Sequence, residues 1–96
     1  MELFNIIWDN EAKKGLKNII SYIKNDSPQN AEMVKNSVFK FVDTLIDNPN
    51  RCTQLKNNKQ LNIRFHIVKG VKVIFEVQNN TVAITNILHA KRRIKV

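Results

Sequence analysis

The chain has 96 residues, of which 43% are hydrophobic, and its 16 Lys and Arg against eight Asp and Glu give a formal net charge of +8. This length allows one small domain, predicted over residues 1–96, and the hydrophobic fraction excludes a disordered chain. The apolar runs are too short to cross a bilayer, and the N-terminus lacks the basic and apolar regions of a secretory signal. Cys52 has no second cysteine to pair with, so we expect a cytoplasmic protein without a disulfide, metal site or cofactor.

The positive charge is concentrated in the second half of the chain. Residues 49–96 contain ten basic residues and one acidic residue, Glu76, and carry a net charge of +9. Residues 9–48 contain six lysines and six acidic residues, which cancel. Such segregation is expected of a surface that binds a polyanion or an acidic peptide, although a solvated basic face without a partner is the alternative.

The first half predicts a strand followed by two helices. An apolar strand covers residues 3–8, and Asp9 is a suitable N-cap for a first amphipathic helix that ends at residues 25–26. Ser27 and Pro28 supply the N-cap and the N1 proline of a second helix, which stops before Asn48 and Pro49. Because the link between the helices is so short, they should form an antiparallel hairpin.

The second half predicts a loop at residues 49–60 and then three strands with two-residue periodicity, at 61–67, 71–77 and 82–88. A one-residue slip would turn every side chain to the other face, so the register is chosen to keep one face apolar. A three-residue loop ending at Gly70 then pairs Ile67 with Val71, and a two-residue type I′ turn at 79–80 pairs Val77 with Val82. The predicted fold class is α+β: an N-terminal strand, a two-helix hairpin, and a three-stranded antiparallel meander packing on the helices.

In this register the outer face of the meander gathers basic side chains. Arg64 and His66 lie near Lys72, and His89 lies at the end of the last strand. The C-terminal basic segment emerges close by, so the sequence predicts one electropositive surface with the following members: Arg64, His66, Lys72, His89, Lys91, Arg92, Arg93 and Lys95.

Six short segments follow one another along nearly the whole chain. They are Ile7-Trp8 followed by Ala12, Leu16-x-x-Ile19-x-x-Tyr22-Ile23, Ser27-Pro28-x-x-Ala31, Leu45-x-x-x-Pro49, Val73-x-Phe75-x-Val77 and Ile87-Leu88-His89-x-x-Arg92. In this order and spacing the chain resembles the RelE/ParE superfamily of small toxins from bacterial type II toxin–antitoxin systems. The resemblance implies a toxin silenced by a cognate antitoxin, whose docking segment we expect to be acidic. It implies neither a small-molecule substrate nor a membrane partner.

The superfamily has two mechanisms, and they leave the question of enzyme activity open. RelE-like members cleave mRNA on the ribosome, and for that mechanism the resemblance implies Arg64, Lys72, His89 and Arg92 as catalytic groups. Asn62 stands where that pattern has a lysine, and no tyrosine follows Tyr22. His89 could replace the missing tyrosine as an acid or base, or could simply fix the C-terminus.

The helix hairpin that follows Trp8 and the His89-Ala90-Lys91-Arg92 ending look more like ParE members of the plasmid-stabilisation type, which inhibit DNA gyrase without hydrolysis. We therefore place gyrase inhibition ahead of RNA cleavage, and a non-toxic nucleic-acid-binding adaptor third. Whichever target applies, the residues predicted to bind the antitoxin or the target are Arg64, His66, Lys72, Lys91, Arg92, Arg93 and Lys95.

Overall fold

The chain forms a two-helix hairpin packed against one face of a five-stranded sheet. The structure, a computed structural model, describes residues 3–55 and 61–90. Its elements are β1 (Asn5–Trp8), α1 (Asn10–Asp26), α2 (Pro28–Thr44), a short 3-10 turn (Pro49–Arg51), β2 (Thr53–Gln54), β3 (Ile63–Val68), β4 (Val71–Gln78) and β5 (Thr81–His89). No helix in the described part of the chain is long and apolar enough to cross a membrane.

The helix boundaries follow from local chemistry and confirm the predicted hairpin. Ser27 ends α1 and begins α2, where its side-chain oxygen accepts a hydrogen bond from the Asn30 backbone N–H at 3.1 Å. Pro28 occupies the first turn of α2, where a missing N–H costs nothing. Asp9 is at the N-cap of α1, but its carboxylate makes no capping hydrogen bond.

The sheet has the strand order β1-β5-β4-β3-β2, in which β1 runs parallel to β5 and the other neighbours are antiparallel. The predicted α+β class and the meander of β3, β4 and β5 are confirmed, and the N-terminal strand takes its place at the β5 edge. The predicted loop at 49–60 contains the 3-10 turn and the short strand β2, which pairs with Arg64 and Phe65 of β3.

The predicted register between β3 and β4 is wrong by one residue. Val68 pairs with Val71 and Ile67 pairs with Lys72, so the connection is a two-residue turn at Lys69 and Gly70. Both turn residues have positive φ, 50° for Lys69 and 77° for Gly70, as a type I′ turn requires. The sequence pattern favours the longer loop, because the two-residue turn places Ile67 opposite Lys72 and Ile63 opposite Glu76, and these are the pairs that the structure has.

The register between β4 and β5 is confirmed at the turn and changes at a β-bulge. Val77 pairs with Val82 and Phe75 with Ile84, as predicted. The predicted type I′ turn is wrong, because it needs positive φ at both central residues and of the two asparagines only Asn79 has it. Beyond that point Ile74 pairs with Asn86, so Thr85 is the extra residue of a bulge. The bulge reverses the expected faces of the last strand residues: Ile87 pairs with Val73, and Leu88 pairs with Lys72.

The hydrophobic core lies between the helices and the inner face of the sheet, which is the face that carries Val73 and Phe75. Trp8, Ile19, Ile20 and Ile23 pack against it from its margins. The buried side chains of this core are Ala12, Leu16, Val34, Val38, Phe41, Val42, Leu45, Cys52, Val71, Val73, Phe75, Val77, Val82, Ile84 and Ile87.

Candidate functional site

Lys72 lies on the outer face of the sheet, opposite the helices. It pairs with Ile67 and Leu88, and its ammonium nitrogen is 5.4 Å from the centre of the Phe65 ring. Ile74, on the same face, is only 6% exposed although it is not part of the main core, whereas Ile67 is 47% exposed. The outer face is therefore an apolar surface that carries a cation held over an aromatic ring.

Arg64 lies on the inner face, because it pairs with the buried residue Phe75. Its guanidinium donates hydrogen bonds to the Cys52 carbonyl oxygen at 2.6 Å and to the Asn62 side-chain oxygen at 3.0 Å. The side chain thereby joins β3 to the segment just before β2. Arg64 is half-buried and has a structural role in fixing this edge of the sheet.

His66 is also on the inner face, where the ring of Phe41 from α2 stacks on it with 4.5 Å between ring centres and an interplanar angle of 18°. Arg51 approaches the Phe41 ring to 5.9 Å and donates a hydrogen bond to the Thr44 hydroxyl. His66, Phe41 and Arg51 thus form an aromatic and cationic cluster beside the C-terminal part of α2.

Burial raises the pKa of the neighbouring Cys52 thiol, and the positive charges of Arg51 and Arg64 oppose this rise. The thiol form is the less reactive one, and Cys52 belongs to the core. Within residues 3–55 and 61–90, no three His, Cys, Asp or Glu side chains are arranged to hold a metal ion.

His89 faces α1 rather than the outer surface. It pairs with the buried residue Val71 and lines a cleft of about 730 Å³ between α1 and β5. Tyr22, which is 72% exposed, and Ile23 contribute to the α1 side of this cleft. Gly15 lets α1 pack tightly on β5, since a Cβ built there would lie 2.3 Å from the Ile87 carbonyl oxygen.

The structure does not bring the predicted site residues together on one surface. Arg64 and His66 lie on the inner face near α2, His89 lies on the inner face near α1, and Lys72 lies on the outer face. The reason is that the register between β3 and β4 differs by one residue from the predicted register, and that the bulge at Thr85 turns the end of β5 over. The remaining predicted members, Lys91, Arg92, Arg93 and Lys95, lie outside the described residues.

A second cleft, of about 370 Å³, opens near the start of α1. Its walls are three lysines, and its floor is apolar. We call it the lysine-rimmed cleft and define it by its lining residues: Trp8, Lys13, Leu16, Lys17, Lys35 and Phe39.

The sequence analysis predicts neither the lysine-rimmed cleft nor the stack of Phe41 on His66, although the sequence carries part of the information for the cleft. Lys13 and Lys17 are four residues apart and so share one side of α1, but only the helix packing shows that Lys35 joins them beside Trp8. The stack of Phe41 on His66 depends on contact between α2 and β3, which are separated in the sequence by the 3-10 turn and β2. No local pattern carries that information.

Comparisons with known proteins agree with the fold. The sequence profile of the family described as "ParE toxin of type II toxin-antitoxin system, parDE" matches residues 6–94. A solved structure titled "Chromosomal ParDE TA system from P. aeruginosa" is similar in fold, with a TM-score of 0.76 and 16% sequence identity over 93% of this chain and 98% of that chain. The search of curated protein sequences gave no significant match.

Proposed function

The chain belongs to the ParE toxin family of type II toxin–antitoxin systems, and on that premise we propose that it inhibits DNA gyrase without cleaving RNA. The placement of the candidate catalytic groups carries this proposal. Lys72 is on the outer face of the sheet, whereas Arg64 and His89 are on the inner face.

RNA cleavage needs a base for the 2′-hydroxyl, cations beside the phosphate, and an acid for the leaving oxygen, all within hydrogen-bonding reach of one phosphodiester. A phosphate next to Lys72 is separated from His89 by the sheet itself. Arg64 is already engaged by the Cys52 carbonyl and the Asn62 side chain. This arrangement supports a protein that acts by binding its target.

We further propose that a cognate antitoxin keeps the toxin inactive and that its docking segment is acidic. The net charge of +8 gives long-range attraction to such a segment, which speeds the encounter and favours it over basic partners. Gyrase acts on DNA inside the cell, so the proposed site of action is the cytoplasm.

Induction of the chain in bacteria without its antitoxin tests the proposal. We expect DNA breaks and an SOS response first, with mRNA intact and translation continuing until the damage spreads. Ile84→Asp is the control for the burden of expression, since it places a carboxylate at a fully buried position and should prevent folding. A rapid stop in translation with cut mRNA, before any SOS response, would refute gyrase inhibition in favour of RNA cleavage.

A further inference from the structure

The outer face of the sheet carries apolar side chains that the helices do not cover. Ile67 of β3 is 47% exposed, and Ile7 of β1, which pairs with Ala83 of β5, is 51% exposed. Phe65 and Leu88 point to the same face and are only partly buried. A run of apolar side chains across the open face of a sheet is typical of a surface that another protein covers.

Two opposite charges lie on this face, one on each side of Ile74. Lys72, Ile74 and Glu76 alternate with the inward-facing residues of β4, so all three point outward. Lys72 and Glu76 are four residues apart on one strand, which separates them by about 14 Å and prevents them from pairing with each other. Neither forms a salt bridge within residues 3–55 and 61–90. A partner that offers a cation to Glu76 and a carboxylate to Lys72 would complement both.

A second copy of the chain supplies that complement. Two outer faces can meet about a two-fold axis that passes at Ile74 and runs across the strands, so that the two copies of β4 are antiparallel. Lys72 of each copy then faces Glu76 of the other, and face-to-face sheets are about 10 Å apart, a gap that these two long side chains span together. An axis along β4 would instead place like charges opposite each other. The charge pattern is thus self-complementary in one of the two arrangements, as a symmetric dimer requires.

The apolar side chains follow the same symmetry. Strand pairing places Ile67 level with Lys72 and Ile63 level with Glu76, so Ile67 of each copy lies over Ile63 of the other. Phe65, in the row between them, meets its own counterpart at the axis. Three strands of six, eight and nine residues present less than the roughly 800 Å² per partner of a standard interface, which indicates micromolar association.

Polyanionic partners fit this face less well than a second copy does. Lys72 would attract an acidic peptide or a nucleic acid, but Glu76 would repel either one from the same face. The net charge of +8 on each copy opposes self-association over long distances. Salt at about 0.15 M limits that repulsion to distances of about 8 Å, while contacts inside the interface are screened much less.

We propose that the free chain forms a two-fold symmetric dimer through the outer face of the sheet, with reciprocal ion pairs between Lys72 and Glu76 around an apolar centre. This inference goes beyond the proposed function and does not depend on it, because neither gyrase nor the antitoxin takes part in the contact.

Sedimentation equilibrium of the purified protein measures the association. We expect a reversible monomer–dimer equilibrium with a Kd on the order of 10 µM and no larger species. Lys72→Glu and Glu76→Lys should each weaken self-association by about tenfold or more, because each places like charges opposite one another at both symmetric contacts. The double variant exchanges the two charges, keeps the net charge of +8 and should restore the dimer.

A mixture of the two single variants is the most specific test. One variant then carries only carboxylates at the two positions and the other only ammonium groups, so they should bind each other more tightly than either binds itself. Circular dichroism of each variant verifies that the fold is kept. The inference is overturned if the mixture contains no more dimer than the separate variants, or if the double variant does not recover the association of the wild type.

Ile67→Asp tests the apolar part of the interface and should weaken the dimer by about tenfold or more. Met33→Asp is the matched control, since Met33 is 49% exposed but lies on α2, and it should leave the Kd within about twofold of the wild type. Equal weakening by both variants would contradict the proposed face. A wild type that stays monomeric up to about 1 mM overturns the inference as well, whether the face is then free or is covered by residues 91–96 of the same chain.

Discussion

At the scale of single residues, the structure separates charges that hold the fold from charges that are available to a partner. Arg64 belongs to the first group, since both of its hydrogen-bond acceptors are in the protein. Lys13, Lys17 and Lys35 belong to the second, since they line an open cleft whose lining contains no carboxylate. Residue type and sequence position alone do not reveal this difference.

Arg64→Ala should lower the free energy of unfolding by about 1–3 kcal/mol, because the half-buried Cys52 carbonyl oxygen loses its charged donor. Lys40→Ala, at an exposed position of α2, should change it by no more than about 0.5 kcal/mol. Urea unfolding followed by circular dichroism measures both. Equal stability of Arg64→Ala and the wild type would mean that Arg64 is free to serve the target instead.

At the scale of elements, the sequence predicted the strand–helix–helix–meander order but not which face of β3 meets the helices. Ile63, Phe65 and Ile67 alternate like core residues, yet they face outward. Both faces of β4 carry buried side chains, as Phe75 and Ile74 show, so alternation of apolar residues does not fix the register.

The candidate site depended on that register. In the predicted register a three-residue loop turns all the apolar residues of β3 inward, which places Arg64, His66 and Lys72 together on the outer face. The bulge at Thr85 then reversed the end of β5. Bulges and positive φ at a lysine are set by tertiary packing, and for this reason the surface could not be derived from the sequence pattern.

Lys69→Asn tests the corrected turn. In the two-residue turn Lys69 has a φ of 50°, which asparagine tolerates better, so the variant should be more stable by about 0.5–1 kcal/mol. Lys69→Ala is the matched control and should give no such gain, because alanine has no side-chain oxygen or amide to favour this conformation. If asparagine were no better than alanine in thermal unfolding, the predicted three-residue loop would regain support.

Gly15→Ala tests the docking of α1 on β5. Alanine favours a helix over glycine by about 1 kcal/mol, but its Cβ would lie 2.3 Å from the Ile87 carbonyl oxygen. We expect overpacking to dominate and the protein to lose about 1–2 kcal/mol of stability. Ser21→Ala, at an exposed position of the same helix, is the control and should be nearly neutral. A gain in stability for Gly15→Ala would show that helix and strand are farther apart.

At the scale of the whole molecule, the sheet acts as a partition between two surfaces. The outer face carries Lys72 over Phe65, and the inner side carries the helices, the His89 cleft and the lysine-rimmed cleft. The two sides of the sheet are therefore separate surfaces of different chemistry.

The most direct test is a supercoiling assay with purified gyrase, relaxed plasmid and the purified protein, run beside a translation reaction that reports mRNA cleavage. We predict that the protein blocks supercoiling and accumulates cleaved plasmid while ribosome-bound mRNA stays intact. Undisturbed supercoiling together with cut mRNA would contradict the account, because it would require the separated basic groups to act at one phosphate.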